Sequence, residues 1–342
     1  MAALELGLDT FGDVTAGTDG QLLAPAQVIR NVIDEGVLAD GLGIDFFGVG
    51  EHHRADFAIS APEVVLAAIA ARTRRIRLGS AVTVLSSDDP VRVFQRFSTV
   101  NAISNGRAEV ILGRGSFTES FPLFGFELSH YEKLFEEKLE LFAALISQQA
   151  VTWRGTTRSA LTNQRVFPPI ETGTLKTWVG VGGSPESVIR AARHGLPLML
   201  AIIGGEPERF APYVDLYRRA LEQLGKPVQP IGVHSPGYVA DTDAQAREEL
   251  WPDYKRMRDR IGAERGWPPM GQAEFAREAV HGSLYVGSPE TVAAKIAATA
   301  KALGIARFDL KYSAGPLAHD KLMRSIELYG SKVIPLVRDM MA

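Results

Sequence analysis

Short apolar runs alternate with stretches of helical periodicity along this chain of 342 residues. The runs predict eight strands, at residues 4–8, 46–50, 76–85, 108–112, 178–181, 198–202, 231–239 and 307–312. They are short and almost wholly apolar, as parallel strands buried on both faces are. Between them, apolar residues recur at helical spacing, for example at Val28, Ile29, Val32 and Ile33.

Proline marks the predicted start of five intervening helices, at Pro25, Pro62, Pro90, Pro185 and Pro289. Proline suits the first position of a helix because its missing N–H would have no partner there. Strict alternation of strands and helices predicts parallel strands covered by helices, and eight such units predict closure into a barrel. We therefore expect an α/β protein with a single (β/α)8 TIM-barrel domain over residues 1–342.

Two stretches interrupt this alternation. Residues 151–176 have no helical period and include Pro168 and Pro169, so we expect an inserted hairpin there. Residues 251–287 contain a polar helix followed by a stretch rich in glycine and proline. This second insertion is either a lid over an active site or a surface excursion without a function.

The composition excludes several classes of function. The chain has no cysteine, which excludes disulfides and thiolate metal sites, and its histidines lack the spacing of metal ligands. Its formal net charge of −3 gives no reason to expect nucleic acid as a partner. No apolar stretch reaches the roughly 18 residues of a membrane span, and the first residues do not look like a signal peptide. We expect a cytoplasmic protein with no metal site and no membrane partner.

Glu51, His52 and His53 directly follow the second predicted strand. In a (β/α)8 barrel, residues at the carboxyl ends of the strands surround the active site. Imidazole gives or takes a proton near neutral pH, so either histidine is a candidate acid–base group. The alternative is that one histidine caps backbone groups while the other is solvated.

Two further segments are candidates for binding a phosphate. After the fifth strand, two glycines precede Ser184 and Ser187 at the start of a predicted helix, where free N–H groups bind anions. After the fourth strand, Arg114 lies between two glycines and is placed to pair with a phosphate. The alternatives are an ordinary serine N-cap and a structural salt bridge of Arg114.

Seven motifs, in order along nearly the whole chain, resemble the luciferase-like flavin monooxygenases, the superfamily of bacterial luciferase. The motifs are Glu51-His52-His53, Gly79-Ser80-Ala81-Val82, Asp89-Pro90-Val91-Arg92, Ser104-Asn105-Gly106-Arg107, Gly113-Arg114-Gly115, Gly195-Leu196-Pro197 and Val286-Gly287-Ser288-Pro289-Glu290. The resemblance implies a (β/α)8 barrel that uses reduced FMN (FMNH2) as a cosubstrate.

The resemblance also implies roles for single residues. His52 matches the family's catalytic histidine. The Ala81–Val82 peptide matches a non-proline cis peptide against which the flavin ring rests. Phosphate binding falls to the matching positions, which are Arg114, Ser184 and Ser187, with Gly183 beside them.

Two positions depart from bacterial luciferase. Gly113 stands where that enzyme has a reactive cysteine, which implies more room beside the ring, and Gly183 stands where it has a glutamate. Both departures argue against light emission from a long-chain aldehyde, but neither argues against flavin chemistry.

The function implied by the resemblance is FMNH2-dependent monooxygenation. A separate flavin reductase would supply FMNH2, which reacts with O2 to give a C4a-hydroperoxide that transfers one oxygen atom to a small organic substrate. His52 would be the general acid–base, with Glu51 orienting it or pairing elsewhere. We also expect a homodimer.

Three other functions stay open. One is an F420-dependent oxidoreductase that transfers hydride, and another is a catalytically silent flavin-binding protein. The third and weakest alternative is a phosphosugar isomerase or aldolase on the same barrel.

Overall fold

Eight parallel strands form a closed barrel at the centre of the structure, a computed structural model that describes residues 3–342. These strands are β1 (Glu5–Thr10), β2 (Phe46–Val49), β3 (Arg77–Ser80), β5 (Ala108–Gly113), β8 (Lys176–Val181), β9 (Leu198–Ala201), β10 (Ile231–Val239) and β12 (Arg307–Lys311). The ring closes at β1, where Gly7 is paired with Phe46 of β2 on one side and Asp309 of β12 on the other. The prediction of eight strands in a TIM barrel is confirmed.

Twelve α-helices surround or extend this barrel within residues 3–342. They are α1 (Pro25–Gly41), α2 (Pro62–Arg72), α3 (Pro90–Ile103), α4 (Ser120–Leu123), α5 (Tyr131–Ile146), α6 (Pro185–His194), α7 (Ala211–Gln223), α8 (Asp243–Arg265), α9 (Gln272–Val280), α10 (Pro289–Leu303), α11 (His319–Leu328) and α12 (Ile334–Met341). The five predicted proline starts are confirmed. At one of them, the Asp89 carboxylate accepts hydrogen bonds from the N–H groups of Val91 and Arg92.

The stretch 76–85 departs from its prediction as one continuous strand. Strand β3 ends at Ser80, the Ala81–Val82 peptide is cis, and a separate short strand β4 (Thr83–Val84) pairs with β5. The linking residues form backbone hydrogen bonds with the end of β2 and the residues after it. The N–H of Ala81 donates to the Val49 carbonyl at 2.9 Å, and the Val82 carbonyl accepts from the N–H of Glu51 at 3.2 Å. The cis peptide implied by the resemblance is therefore present.

The two predicted insertions have regular structure. Residues 151–176 contain an antiparallel hairpin of β6 (Val151–Trp153) and β7 (Leu161–Gln164). Residues 251–287 contain the second half of α8, helix α9 and the short strand β11 (Tyr285–Gly287), which pairs with β10. Within residues 3–342, no helix is both long enough and apolar enough to cross a membrane.

A buried arginine occupies the barrel interior near the amino-terminal ends of the strands. Arg307, fully buried at the start of β12, lies between the rings of Phe46 and Trp178, at 4.4 and 4.6 Å from their centroids. It donates to both carboxylate oxygens of Glu109, at 2.8 and 3.0 Å. Burial acts to raise the pKa of Glu109, but the charge of Arg307 and its hydrogen bonds prevail and lower it to about 2. This ion pair closes the amino-terminal end of the barrel and leaves the other end for a ligand.

Candidate active site

A cavity of about 300 Å³ opens at the carboxyl ends of the barrel strands, where active sites of this fold lie. Each strand of the barrel contributes to its wall, either directly or through the loop that follows. Strand-end residues in the wall include Asp9, Glu51, His52, His53, Ala81, Val82, Gly113, Arg114, Gly180, Gly182, Ala201, His234 and Asp309. The structure thus brings together His52, Ala81, Val82 and Arg114 from the predicted site.

His52 is enclosed by aromatic rings. Its imidazole stacks on Phe57, with centroids 4.4 Å apart, and meets the edges of Phe11 and Phe117 at 4.6 and 5.3 Å. Burial lowers the pKa of His52 to about 3, although Asp13 acts in the opposite direction. Its neutral form is therefore favoured at neutral pH, and the ring can accept a hydrogen bond from a ligand in the cavity.

Glu51 pairs with His53 and not with His52. One carboxylate oxygen of Glu51 lies 3.0 Å from Nε2 of His53, and the other accepts from the N–H of Val84 at 2.8 Å. Of the two earlier possibilities for Glu51, orienting His52 or pairing elsewhere, the structure shows the second. Glu51 thus links His53 to Val84 of β4. The ring of His52 is positioned by its aromatic neighbours.

Val82 fills the space beside Gly113. A Cβ placed on Gly113 would lie 2.5 Å from Cγ2 of Val82, and Val82 packs on a buried group formed by Phe46, Ile111, Trp178 and Met199. The expectation that glycine at position 113 leaves extra room is therefore wrong, because a neighbouring side chain occupies that volume. Val82 and the Ala81–Val82 peptide form an apolar surface on one wall of the cavity, here called the apolar ledge.

The predicted phosphate-binding residues belong to one network of polar side-chain contacts. Arg114 and Arg190 both pair with Glu132, and Arg190 also reaches Oγ of Ser187 at 3.4 Å. Ser184 caps α6 by accepting from the N–H of Ser187 at 3.3 Å, and its hydroxyl donates to that of Ser187 at 2.8 Å. The N-cap and salt-bridge alternatives thus both describe real contacts, and they place two guanidinium groups beside the start of a helix.

Gly183, Ser184 and Ser187 lie beside the cavity and are not part of its wall, which Gly182 reaches immediately before them. Gly183 has a φ of +103°, a conformation that side chains rarely adopt. A residue with a side chain would be strained at this position.

Arg114, Arg190, Ser184 and Ser187 form a corner, here called the anion-binding corner, whose charges and hydroxyl groups have the chemistry to bind a phosphate group. Glu132, the shared partner of the two arginines, has a side chain that is 62% exposed and can turn into solvent. A phosphate in its place would meet the guanidinium groups of Arg114 and Arg190, the second of which is also paired with Glu136. Arg190 was missed in the sequence because its helical pattern gave no sign that it points toward Ser187.

The third histidine in the cavity wall, His234, was also missed in the sequence. His234 of β10 bonds through Nδ1 to a carboxylate oxygen of Asp9 of β1, at 2.6 Å. The His234 ring lies nearly parallel to that of Phe11, at 14° and 5.9 Å, and Phe11 in turn contacts His52. The available signal was a polar side chain in or beside a mostly apolar strand at each position, but 225 residues separate the partners.

The family profile described as "Luciferase-like monooxygenase" matches residues 10–307. The chain belongs to this family. Its predicted membership in the luciferase-like flavin-dependent monooxygenases is thereby confirmed. It is 28% identical over 253 residues to 4-hydroxyprotoasukamycin monooxygenase of Streptomyces nodosus subsp. asukaensis, covering 70% of this chain and 67% of that protein.

Solved structures share the whole fold. The monooxygenase RslO1 from Streptomyces bottropensis has a TM-score of 0.83 at 23% identity, covering 97% of this luciferase-like chain and 99% of that one. The oxygenating constituent of 3,6-diketocamphane monooxygenase from a Pseudomonas putida plasmid, a type II Baeyer–Villiger enzyme in complex with FMN, gives 0.75 at 21% and covers 97% and 98%. An F420-dependent tetrahydromethanopterin reductase from Methanopyrus kandleri gives 0.72 at 18% and covers 98% and 99%.

Proposed function

We propose that this luciferase-like protein is an FMNH2-dependent monooxygenase that inserts one atom of O2 into a small organic substrate. The observation that carries the proposal is one cavity that joins three features. These are the anion-binding corner at Arg114, the apolar ledge of Ala81–Val82, and the buried neutral imidazole of His52. A flavin needs all three: an anchor for its phosphate, a flat seat for its ring, and a proton-transfer group beside the ring.

Each group has a part in this proposal. Arg114, Arg190 and the start of α6 at Ser184 and Ser187 would hold the phosphate, with Gly183 letting the backbone approach it. Bound FMNH2 would supply the electrons that activate O2. His52, neutral in the resting site, would accept a proton from a reacting group and return it later, a role typically worth about 10²–10⁴-fold in rate. The rings of Phe11, Phe57 and Phe117 limit the contact of its imidazole with water.

The proposal extends to the partners of the chain. A separate reductase would supply FMNH2, because the chain offers no second nucleotide motif beside the Arg114 corner. We propose a cytoplasmic location, where NADH and NADPH sustain such a reductase, and a homodimer of single-domain chains.

Flavin binding tests the proposal. Anaerobic titration with FMN, FMNH2 and F420 should give tight binding of FMNH2 and weaker binding of FMN. Arg114→Gln should weaken FMNH2 binding by about tenfold or more, because a charge-assisted hydrogen bond contributes about 1.5–3 kcal/mol. The exposed Arg219→Gln on α7 is the control and should bind normally.

Two results would contradict the proposal. Preferred binding of F420 would favour the hydride-transfer alternative. Rapid anaerobic reduction of bound FMN by NADPH alone would show that no separate reductase is needed.

A further inference from the structure

We propose that the substrate is a neutral molecule with an apolar body and a hydrogen-bonding oxygen, and that the His234–Asp9 pair binds this oxygen. The inference rests on the proposed function and adds the substrate class. The inference predicts that the substrate is a ketone, an alcohol or a phenol, and not a sulfonate or a carboxylate.

The charges around the cavity disfavour an anionic substrate. Among the lining residues, Arg114 is the one lysine or arginine, and it is paired with Glu132 in the corner assigned to phosphate. Four acidic residues also line the cavity: Asp9, Glu51, Glu119 and Asp309. A second anion would therefore lose its hydration without gaining a cation in return, which is costly in a buried site.

The charges do not favour a cationic substrate either. Glu51 is paired with His53, Glu119 with Arg54, and Asp9 with His234. Burial raises the pKa of Asp309 well above its ordinary value, which favours its neutral form. Three of the acidic groups in the wall are thus paired, and burial disfavours the charged form of the fourth, so that a neutral ligand suits the cavity best.

The His234–Asp9 pair is the polar feature that none of the assigned roles uses. Asp9 is almost fully buried, and its bond to Nδ1 fixes the orientation of the His234 ring. The other ring nitrogen, Nε2, forms no hydrogen bond with any of residues 3–342, although His234 lines the cavity. A ring nitrogen that faces a cavity without a protein partner is available to a ligand oxygen, and Asp9 supports it in either protonation state.

The remaining wall is apolar and aromatic. Phe11, Phe117, Met199 and Ile203 line the cavity beside His234. Phe124, which is 49% exposed, contacts the ring of His53 at 5.1 Å and continues the apolar surface outward. An apolar substrate would be drawn from water along this surface by the hydrophobic effect.

A matched ligand series tests the inference. The probes are 4-methylbenzyl alcohol, 4-methylbenzoate, 4-methylbenzylammonium and p-xylene, which share one aromatic body. Calorimetric titration is carried out on the protein with and without saturating FMN. The alcohol should bind at least tenfold more tightly than the benzoate and the ammonium compound.

Two variants separate the pair from the apolar wall. His234→Leu should weaken binding of the alcohol at least tenfold, about 1.4 kcal/mol, and leave binding of p-xylene within about twofold. His281→Leu, at an exposed position after α9, is the control and should change neither. If His234→Leu does not fold, the ¹⁵N shift of Nε2 of His234 in the unaltered protein should still move with the alcohol and not with p-xylene.

Several outcomes would overturn the inference. These are benzoate or ammonium binding as tight as that of the alcohol, an alcohol affinity that does not depend on His234, or no binding of the alcohol. They are distinct from failure of the proposed function, which would show as absence of FMN and FMNH2 binding in the same preparations.

Discussion

The contact between Gly113 and Val82 predicts that alanine at position 113 is destabilising. The new Cβ would lie 2.5 Å from Cγ2 and 3.0 Å from Cβ of Val82, whereas carbon atoms pack at about 3.5–4.0 Å. Forcing such a methyl group into a packed site costs about 1–3 kcal/mol, from which about 0.4–1 kcal/mol is recovered because alanine restricts the unfolded chain. We expect Gly113→Ala to lower the free energy of unfolding by about 1–2 kcal/mol.

A double-mutant cycle with Val82→Ala isolates this contact. Removing the Cγ atoms of Val82 relieves the shortest contact, so Gly113→Ala should cost less in that background, and the coupling should reach about 1 kcal/mol. Urea denaturation followed by circular dichroism measures the four free energies. Gly182→Ala is the control, since a Cβ there meets no atom within 4 Å. A Gly113→Ala penalty of equal size with valine or alanine at position 82 would refute the reasoning.

Three further predictions concern the histidines and the lid. His53→Ala should lower the free energy of unfolding by about 1–3 kcal/mol, because buried Glu51 loses its partner; thermal and urea unfolding that match the unaltered protein would contradict this. Because burial lowers the pKa of His52 to about 3, the unfolded chain binds the proton more readily, and His52 destabilises the fold as pH falls from about 6.5 toward 3. His52→Phe should therefore lose less stability than the unaltered protein between about pH 7 and pH 5, by about 2 kcal/mol, and equal losses in urea titrations would show that the ring is not desolvated. Residues 251–287, anchored through Glu264 to Arg54 at 2.8 Å, should exchange amide hydrogens fastest without ligand and slow down when FMNH2 binds; equal exchange in both states would mean that they form no lid.

The barrel was predictable because its signals are local. Apolar runs and proline starts are each contained in a few residues, and buried parallel strands allow few other patterns. The break after Ser80 was not predictable from the pattern, since residues 76–85 are mostly apolar on both sides of it. It depends on backbone bonds to Val49 and Glu51, which belong to another part of the chain.

The candidate site was predictable only in part, for a related reason. Motifs such as Glu51-His52-His53 identify residues at strand ends, but they do not say which partner each side chain has. Tertiary packing decides three such contacts. Glu51 pairs with His53, Arg114 and Arg190 share Glu132, and His234 pairs with Asp9. A polar residue in a mostly apolar strand indicates that such a pair exists, but it does not identify the partner.

One measurement tests the central claim, that His52 acts on a flavin held in this cavity. FMNH2 binding and the yield of oxygenated product per FMNH2 oxidised should be compared in the unaltered protein, His52→Ala and His53→Ala, with stopped-flow absorbance following oxidation of the flavin. We predict that His52→Ala binds FMNH2 normally but loses most of the oxygenation, by about 10²-fold or more, and that His53→Ala loses less. Normal oxygenation by His52→Ala, or a greater loss in His53→Ala, would contradict the account.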